Sequence, residues 1–277
     1  MDDKLKIPLG MLILFLIIGS VLTLILDNVF YLFNFTYIGV FLSIGIYLIA
    51  SQNRYGRNIV QLGVGLYMLV FLGLILQENM LLSGFFYYLF LGVFEAAVIH
   101  YLIAKIFGPL LFGRGWCGYA CWTAMILEFL PYKTPKTHTR IKHLGLLRYI
   151  LFGVILVGVA SLFYFKVPNL EYTLFLIFVI GNIIYYLVGI ILAYILKDNH
   201  AFCKYVCPIT TFLKPMSYFS LLRVHCNNDT CSECNKCREV CPMDVDMLDN
   251  KRNRSNGTEC ILCLNCINNC PNKSLDI

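Results

Sequence analysis

Near its end the chain carries two matching cysteine runs, Cys231-x2-Cys234-x2-Cys237-x3-Cys241-Pro242 and Cys260-x2-Cys263-x2-Cys266-x3-Cys270-Pro271. Each run places three thiolates in one tight loop and sends the fourth away on a turn that proline closes. Three thiolates in one loop can take three corners of an iron–sulfur cube, and this spacing is typical of [4Fe-4S] ligands. A disulfide scaffold and a pair of zinc knuckles are the alternatives, but zinc sites seldom need three cysteines at this spacing.

Over residues 223–277 the chain resembles the bacterial ferredoxins that hold two [4Fe-4S] clusters, a domain of α+β structure. The resemblance implies that the fourth cysteine of each run serves the other cluster. One cluster is then expected on Cys231, Cys234, Cys237 and Cys270, and the other on Cys260, Cys263, Cys266 and Cys241. Cys226 lies outside this pattern and is predicted to be a spare thiol.

The rest of the chain has the composition of a membrane protein. Of its 277 residues, 59% are hydrophobic and only 14% are charged, and the mean hydropathy is +0.72. An apolar helix of about 20 residues crosses the roughly 30 Å of hydrocarbon in a bilayer. Runs of this kind cover residues 7–26, 30–50, 59–76, 85–106, 146–165 and 173–196. The sequence therefore predicts an α-helical polytopic membrane protein with about six transmembrane helices, the first of them retained rather than cleaved as a signal peptide.

Loop charges predict the orientation, because Lys and Arg accumulate in short cytoplasmic loops. The second connection contains Arg54 and Arg57, and the fourth is far richer, with Arg114, Lys133, Lys136, Arg140, Lys142 and Arg148. We therefore expect a multi-pass protein of the cytoplasmic membrane with both termini, and every cysteine, in the reducing cytoplasm. The net charge of +6 is spread among these loops, which argues against nucleic acid as a partner.

The membrane part contains an internal hairpin repeat with its own cysteines. Gly115-Trp116-Cys117-Gly118-Tyr119-Ala120-Cys121-Trp122 aligns without a gap with Ala201-Phe202-Cys203-Lys204-Tyr205-Val206-Cys207-Pro208. Both copies lead into a short amphipathic stretch that suits a helix in the membrane interface. The four thiols of Cys117, Cys121, Cys203 and Cys207 could hold a third [4Fe-4S] cluster or another soft metal. A redox-active dithiol pair and simple packing of small side chains are the alternatives.

This arrangement resembles the membrane electron-transfer family that includes the H subunit of periplasmic nitrate reductase systems and the iron–sulfur regulators of nitrous oxide reductase. The resemblance covers residues 59–277. The second turn matches the family's Cys-x3-Cys-Pro pattern, and the first departs from it only in having Trp122 in place of the proline. It implies a four-helix membrane unit with the cysteine turns (59–222) and the ferredoxin domain (223–277), and the two N-terminal helices (1–58) are extra to it. Arg114 and Lys204, beside the turns, are expected to favour thiolates or to anchor the topology.

Two ionisable residues, Glu95 and His100, fall within the predicted fourth span. Charge is costly at that depth, which favours a functional role such as a proton or quinone site over an ordinary polar contact. Asn182, in the predicted sixth span, is interpreted instead as a polar residue that helps helices pack together. The leading hypothesis is an iron–sulfur electron carrier, acting between the membrane quinone pool and a cytoplasmic or peripheral redox protein. A redox sensor or maturation factor, and a copper or iron reductase that uses the turn cysteines, are the alternatives.

Overall fold

The computed structural model describes residues 3–51, 53, 55–94, 96–135, 138 and 140–277. The helices are α1 (Asp3–Leu26), α2 (Phe30–Ala50), α3 (Gly56–Leu66), α4 (Leu82–Leu91), α5 (Ala96–Tyr101), α6 (Gly108–Phe112), α7 (Gly115–Tyr119), α8 (Trp122–Leu127), α9 (Leu147–Tyr164), α10 (Leu170–Leu196), α11 (Ala201–Tyr205), α12 (Thr210–Tyr218), α13 (Lys236–Glu239) and α14 (Asn265–Asn268). Two π-helical segments, Tyr67–Ile75 and Leu102–Phe107, continue α3 and join α5 to α6. Short 3-10 turns lie at Leu144–Leu146 and Gly257–Glu259.

Within the described part of the chain, five helices are long and apolar enough to cross a membrane. They are Leu5–Leu26, Phe30–Ala50, Gly56–Ile75, Leu144–Tyr164 and Leu170–Leu196. The mostly helical fold class that the sequence predicts is thereby confirmed. Few side chains of the first of these helices are buried in the protein, as expected for a helix whose apolar surface faces lipid.

The predicted fourth span, residues 85–106, is not one continuous helix. Gly92 ends α4 with a φ of +70°, a left-handed conformation that glycine adopts at little cost and that terminates helices. The chain resumes at α5 and continues to Phe112 as a second short apolar helix, Ala97–Phe112. Phe85 of α4 stacks on Tyr101 of α5 with ring centroids 4.8 Å apart, so the two short helices pack against each other. Glu95 lies in the break, outside the described residues.

The cysteine repeat of the sequence is also a repeat of structure. The first copy is the pair of short helices α7 and α8, and the second is α11 and α12. Each pair follows an apolar helix, Ala97–Phe112 in the first copy and Leu170–Leu196 in the second, so both cysteine turns lie at helix ends. Gly189 of α10 is in close contact with Leu127 of α8, where an added Cβ would stand 2.9 Å from the leucine side chain. The second hairpin thus packs on the turn region of the first.

The C-terminal region is a ferredoxin-type unit with a small sheet. Strand β1 (His225–Cys226) pairs antiparallel with β2 (Leu275–Asp276), and this joins the two ends of the region. Between the strands, α13 and α14 each begin one residue before the third cysteine of a run. The chain there is held on the membrane-helix region by backbone hydrogen bonds and buried ion pairs.

Candidate iron–sulfur sites

The two cysteine runs adopt the same backbone conformation. Each has left-handed residues at three equivalent positions, Glu233, Asn235 and Asp244 in the first run and Leu262, Leu264 and Lys273 in the second. A bulky non-glycine residue such as leucine is uncommon with positive φ, and such conformations concentrate at functional loops. Equivalent backbone N–H groups also approach the fourth thiols, from Val245 to Cys241 Sγ at 3.4 Å and from Ser274 to Cys270 Sγ at 3.3 Å.

Each set of four cysteines surrounds its own cavity. The inner site is a small cavity lined by Cys241, Cys260, Cys263 and Cys266. The outer site is a small cavity lined by Cys231, Cys234, Cys237 and Cys270. In both, three cysteines come from one run and the fourth from the other run. Cys226 lines the outer site as a fifth thiol, a placement that its position outside the motif did not predict.

Burial raises the pKa of all four thiols of the inner site. The pKa of Cys263 rises to about 12, against the opposing effect of the Asn265 backbone N–H. The pKa of Cys266 is raised by burial first and then by the thiolates of Cys263 and Cys260. Such thiols ionise when a bound cation takes the place of the proton. The buried donor set of the inner site therefore fits an iron–sulfur cluster, whose iron atoms neutralise the thiolates.

The four turn cysteines, Cys117, Cys121, Cys203 and Cys207, form a third group. Burial, with a further contribution from the nearby Cys117 and Cys121, raises the pKa of Cys207 to about 12. The pKa of Cys203 is raised by burial first and then by Cys207 and Cys121. The structure therefore brings together thiols from both copies of the repeat. Arg114 is close enough to oppose the shift at both Cys203 and Cys207.

No three His, Cys, Asp or Glu side chains in the described residues converge tightly enough to hold a single metal ion. A cubane needs a wider spacing, because each of its four thiolates binds a different iron atom.

A buried carboxylate joins the ferredoxin-type unit to the apolar helices and the turns that follow them. Glu259, whose side chain is only 1% exposed, pairs with Arg114 at 2.5 Å and with Arg148 at 3.1 Å. Lys214 at 3.3 Å and Arg140 at 3.5 Å complete the group. Burial alone would raise the pKa of Glu259, but these cations together lower it to about 2.

A second buried carboxylate binds the other copy of the repeat. Lys204 of α11 contacts Asp244 at 2.6 Å and Asp198 at 2.7 Å. His138 Nδ1 lies 3.0 Å from the same Asp244 carboxylate. Arg114 and Lys204, the basic residues of the two turns, therefore each bind an acidic residue of the ferredoxin-type unit. Sequence reasoning missed Glu259 and Asp244, because their partners are 145 and 40 residues away along the chain.

The loop of the second run lies directly on α7. The Arg114 N–H donates to the carbonyl of Cys260 at 3.3 Å, and Tyr119 Oη donates to the carbonyl of Leu262 at 2.9 Å. The inner site is thereby the one next to the turn cysteines. Cys234 of the outer site is exposed, so that site is open at the protein surface.

The polar residues predicted in the membrane have different surroundings. His100 is buried in α5, with its ring 5.6 Å from that of Trp116, and its Nε2 has no hydrogen-bond partner among the described residues. Asn182 accepts a hydrogen bond from Trp122 Nε1 at 2.7 Å and donates one to the carbonyl of Phe178 at 2.8 Å, as predicted for a packing residue. The predicted proton or quinone role of Glu95 falls on a residue outside the described part of the chain.

Comparison with known families finds iron–sulfur domains in both parts of the chain. Residues 223–271 match the family described as "4Fe-4S dicluster domain". Residues 97–136 and 180–225 each match a family described as "4Fe-4S binding domain", and each match contains one of the cysteine turns. No solved structure matches the chain.

Three curated proteins illustrate the similarity. Two proteins of Methanocaldococcus jannaschii, both named "Uncharacterized protein", are similar over much of the chain. One is 25% identical over 65% of this chain and 70% of its own length, and the other is 27% identical over 67% and 84%. The Escherichia coli "Putative electron transport protein YccM" is 33% identical over 26% of this chain, which spans 20% of that protein. These matches show 4Fe-4S domains of ferredoxin type and support iron–sulfur electron transfer as the function of the chain.

Proposed function

We propose that this protein is a membrane-anchored iron–sulfur electron carrier that exchanges electrons between the membrane quinone pool and a cytoplasmic or peripheral redox protein. The observation that carries the proposal is the alignment of three cysteine groups at one end of the apolar helices. The turn cysteines are at the helix ends, the inner site lies against them, and the outer site has an exposed cysteine. A bound [4Fe-4S] cluster supplies one-electron transfer, and its potential depends on charge and exposure around it.

The ligand sets follow from the two cysteine-lined cavities. Cys241, Cys260, Cys263 and Cys266 would hold one [4Fe-4S] cluster, and the outer site would hold the other. The basic residues gathered at Glu259 and Asp244 would keep the inner site next to the membrane helices. In this proposal residues 59–222 and 223–277 are the two redox segments, as in the nitrate reductase H subunit, and residues 1–58 are an addition in front.

The turn cysteines are proposed to hold a third cluster. Burial raises the pKa of Cys121, Cys203 and Cys207, so these thiols become thiolates when a bound cation takes the place of the proton. Arg114 adds positive charge at the same place. Two thiols come from each copy of the repeat, which supports a shared site at the junction between repeats.

Iron and sulfide analysis with EPR tests the ligand assignment. Three cubanes give about twelve iron atoms per chain, and two give about eight. We expect about twelve in the wild type, about eight after Cys117→Ser with Cys203→Ser, and about twelve in the control variant Cys226→Ser. Equal counts of eight in all three proteins would contradict the third cluster and leave the ferredoxin sites in place.

Electron exchange with quinone tests the function itself. Purified, cluster-reconstituted protein, reduced with dithionite and freed of excess reductant, should be reoxidised by a short-chain quinone, followed by the loss of the reduced-cluster EPR signal. A fully loaded protein that exchanges no electrons with quinone would refute this function and favour a redox sensor.

A further inference from the structure

A cavity of about 90 Å³ lies between the N-terminal helices and the membrane unit. Its walls come from α1, α2, both π-helical segments, α5 and α7, with Phe15, Asn34, Met68, His100, Ala104 and Trp116 among the lining residues. This cavity is larger than either cysteine-lined site. It offers several times the space that one water molecule needs, and its position among apolar helices suits an organic molecule that dissolves in lipid.

Three polar atoms of the lining residues lack a hydrogen-bond partner within the described chain. They are Asn34 Oδ1, His100 Nε2 and Trp116 Nε1. Buried polar atoms are nearly always hydrogen-bonded in native proteins, so each calls for an explanation. Asn34 Oδ1 can only accept a hydrogen bond, Trp116 Nε1 can only donate one, and the imidazole nitrogen can do either according to its tautomer.

Two π-helical segments meet at the cavity. Met68 and Leu72 belong to the first of them, and Ile103 and Ala104 to the second. A π-helix is an uncommon conformation that frequently marks functional sites within helices. Here both segments widen their helices at the same cavity, which is not expected if the cavity were an accident of packing.

The cavity is also next to the turn cysteines. Trp116 lines it and immediately precedes Cys117 in α7. The His100 ring lies 5.6 Å from the Trp116 ring, and Lys105 Nζ lies 5.5 Å from the centroid of the same indole. A molecule in the cavity would therefore contact the residue that precedes the first turn cysteine.

We propose that this cavity binds the ring of a quinone or quinol, with Asn34, His100 and Trp116 as its polar contacts. A quinol hydroxyl can donate to Asn34 or to an unprotonated His100 nitrogen, and a quinone carbonyl can accept from Trp116 Nε1. The aromatic and aliphatic walls accommodate the ring. The hydrocarbon tail of a lipid would leave all three polar atoms without partners. This inference rests on the proposed function and assigns the N-terminal helices α1 and α2 to the quinone site.

Binding of a fluorescent quinol analogue, 2-heptyl-4-hydroxyquinoline N-oxide, to the full-length protein in detergent tests the assignment. We expect saturable quenching in the wild type. Asn34→Leu and His100→Leu should each weaken binding by about tenfold, the effect of losing one buried hydrogen bond. The matched control is Asn182→Leu, which removes a buried amide that is hydrogen-bonded within the protein and lies outside the cavity. The control should change binding by less than about twofold.

Unchanged binding in both cavity variants, or equal weakening in the control, would overturn the assignment. Iron content and EPR spectra of the variants show whether each protein is intact. If His100→Leu does not fold, Asn34→Leu, which is remote from every cysteine in sequence, still tests the assignment. If the wild type is reoxidised by quinone while the cavity variants bind normally, the quinone site is elsewhere and the proposed function stands. A wild type that neither binds the analogue nor reacts with quinone contradicts both.

Discussion

Glu259 is the residue on which the junction between the two parts of the chain depends most. It is buried, precedes the first cysteine of the second run, and balances the charge of Arg114 and Arg148, which are also buried. A buried ion pair is weak evidence of net stabilisation, but removal of one partner leaves an uncompensated charge in a medium of low polarity. The loss of folding free energy on removal of Glu259 therefore depends on the buried cations that are left without a partner.

We expect Glu259→Gln to lower the free energy of unfolding by roughly 3–5 kcal/mol, the typical result of breaking a buried ion pair. Thermal unfolding in detergent, followed by circular dichroism, measures the effect. Glu239→Gln is the control, because its side chain is 63% exposed and pairs with Lys236 at 3.8 Å. Exposed pairs of this kind contribute little. Similar losses in the two variants would show that Glu259 has no special role.

Glu128 provides a pH-dependent contact between α3 and the chain after α8. Burial by itself would raise its pKa, but the hydrogen bonds from Arg57, at 2.7 and 2.5 Å, reverse the effect and leave the pKa below its ordinary value of 4.5. A carboxylate whose pKa is lower in the folded than in the unfolded protein stabilises the fold at pH values above the unfolded-state pKa. This stabilisation is lost as the pH falls from the unfolded-state pKa through the folded-state pKa.

We therefore expect the stability difference between wild type and Glu128→Gln to be constant from pH 7 to about pH 5 and to shrink as the pH falls below about 4.5. Parallel thermal unfolding of both proteins across this range measures it. A difference that stays constant down to pH 3 would mean that the pKa of Glu128 is the same in the folded and the unfolded protein, so that Arg57 does not lower it.

At the scale of elements, the contact between α7 and the loop of the second run is close enough to be sensitive to one methyl group. A Cβ added at Gly118 would stand 2.5 Å from the Ile261 carbonyl oxygen, which is shorter than any ordinary contact. The partner is backbone, so relief requires movement of the loop that carries Cys260 and Cys263.

Gly118→Ala is accordingly expected to shift the EPR spectrum of the reduced protein and to speed iron loss to a chelator several-fold. Gly153→Ala serves as the control, because an added Cβ at that position of α9 meets no heavy atom within 4 Å. Iron loss at the wild-type rate from Gly118→Ala would show that the loop is not tightly seated on α7.

The same elements show what the sequence could and could not predict. Hydropathy predicts the long helices well, since length and apolar composition alone decide them. It failed at residues 85–106, where the left-handed Gly92 interrupts a run whose hydropathy gives no sign of a break. The π-helical segments and the ion pairs of Glu259 depend on partners distant in sequence, so no local pattern predicts them. Cysteine spacing, in contrast, is local within each run and led directly to the two cavities.

At the scale of the whole molecule, the ferredoxin-type unit and several helix ends share one face. Arg57 at the start of α3 donates to the Gly118 carbonyl at 3.1 Å, and Arg148 at the start of α9 reaches Glu259. Lys204, just after α10, reaches Asp244. The turns at Asp27–Val29 and at residues 165–169 join the other ends of the long helices. Many basic residues that predicted a cytoplasmic face are therefore also the ones that bind the ferredoxin-type unit.

This arrangement leads to a topology that protease protection can test. Because Lys and Arg concentrate on the face that carries the cysteines, we expect that face and the C-terminus to be cytoplasmic. Epitope tags inserted after Asn28 or after Val167 should be cleaved by protease added to intact spheroplasts, whereas a tag after Ile277 should be cleaved only after lysis. Cleavage of the Ile277 tag in intact spheroplasts would place the iron–sulfur sites outside the cell. A redox partner would then have to be sought on that side, because the exposed Cys234 marks the outer site as the point of access.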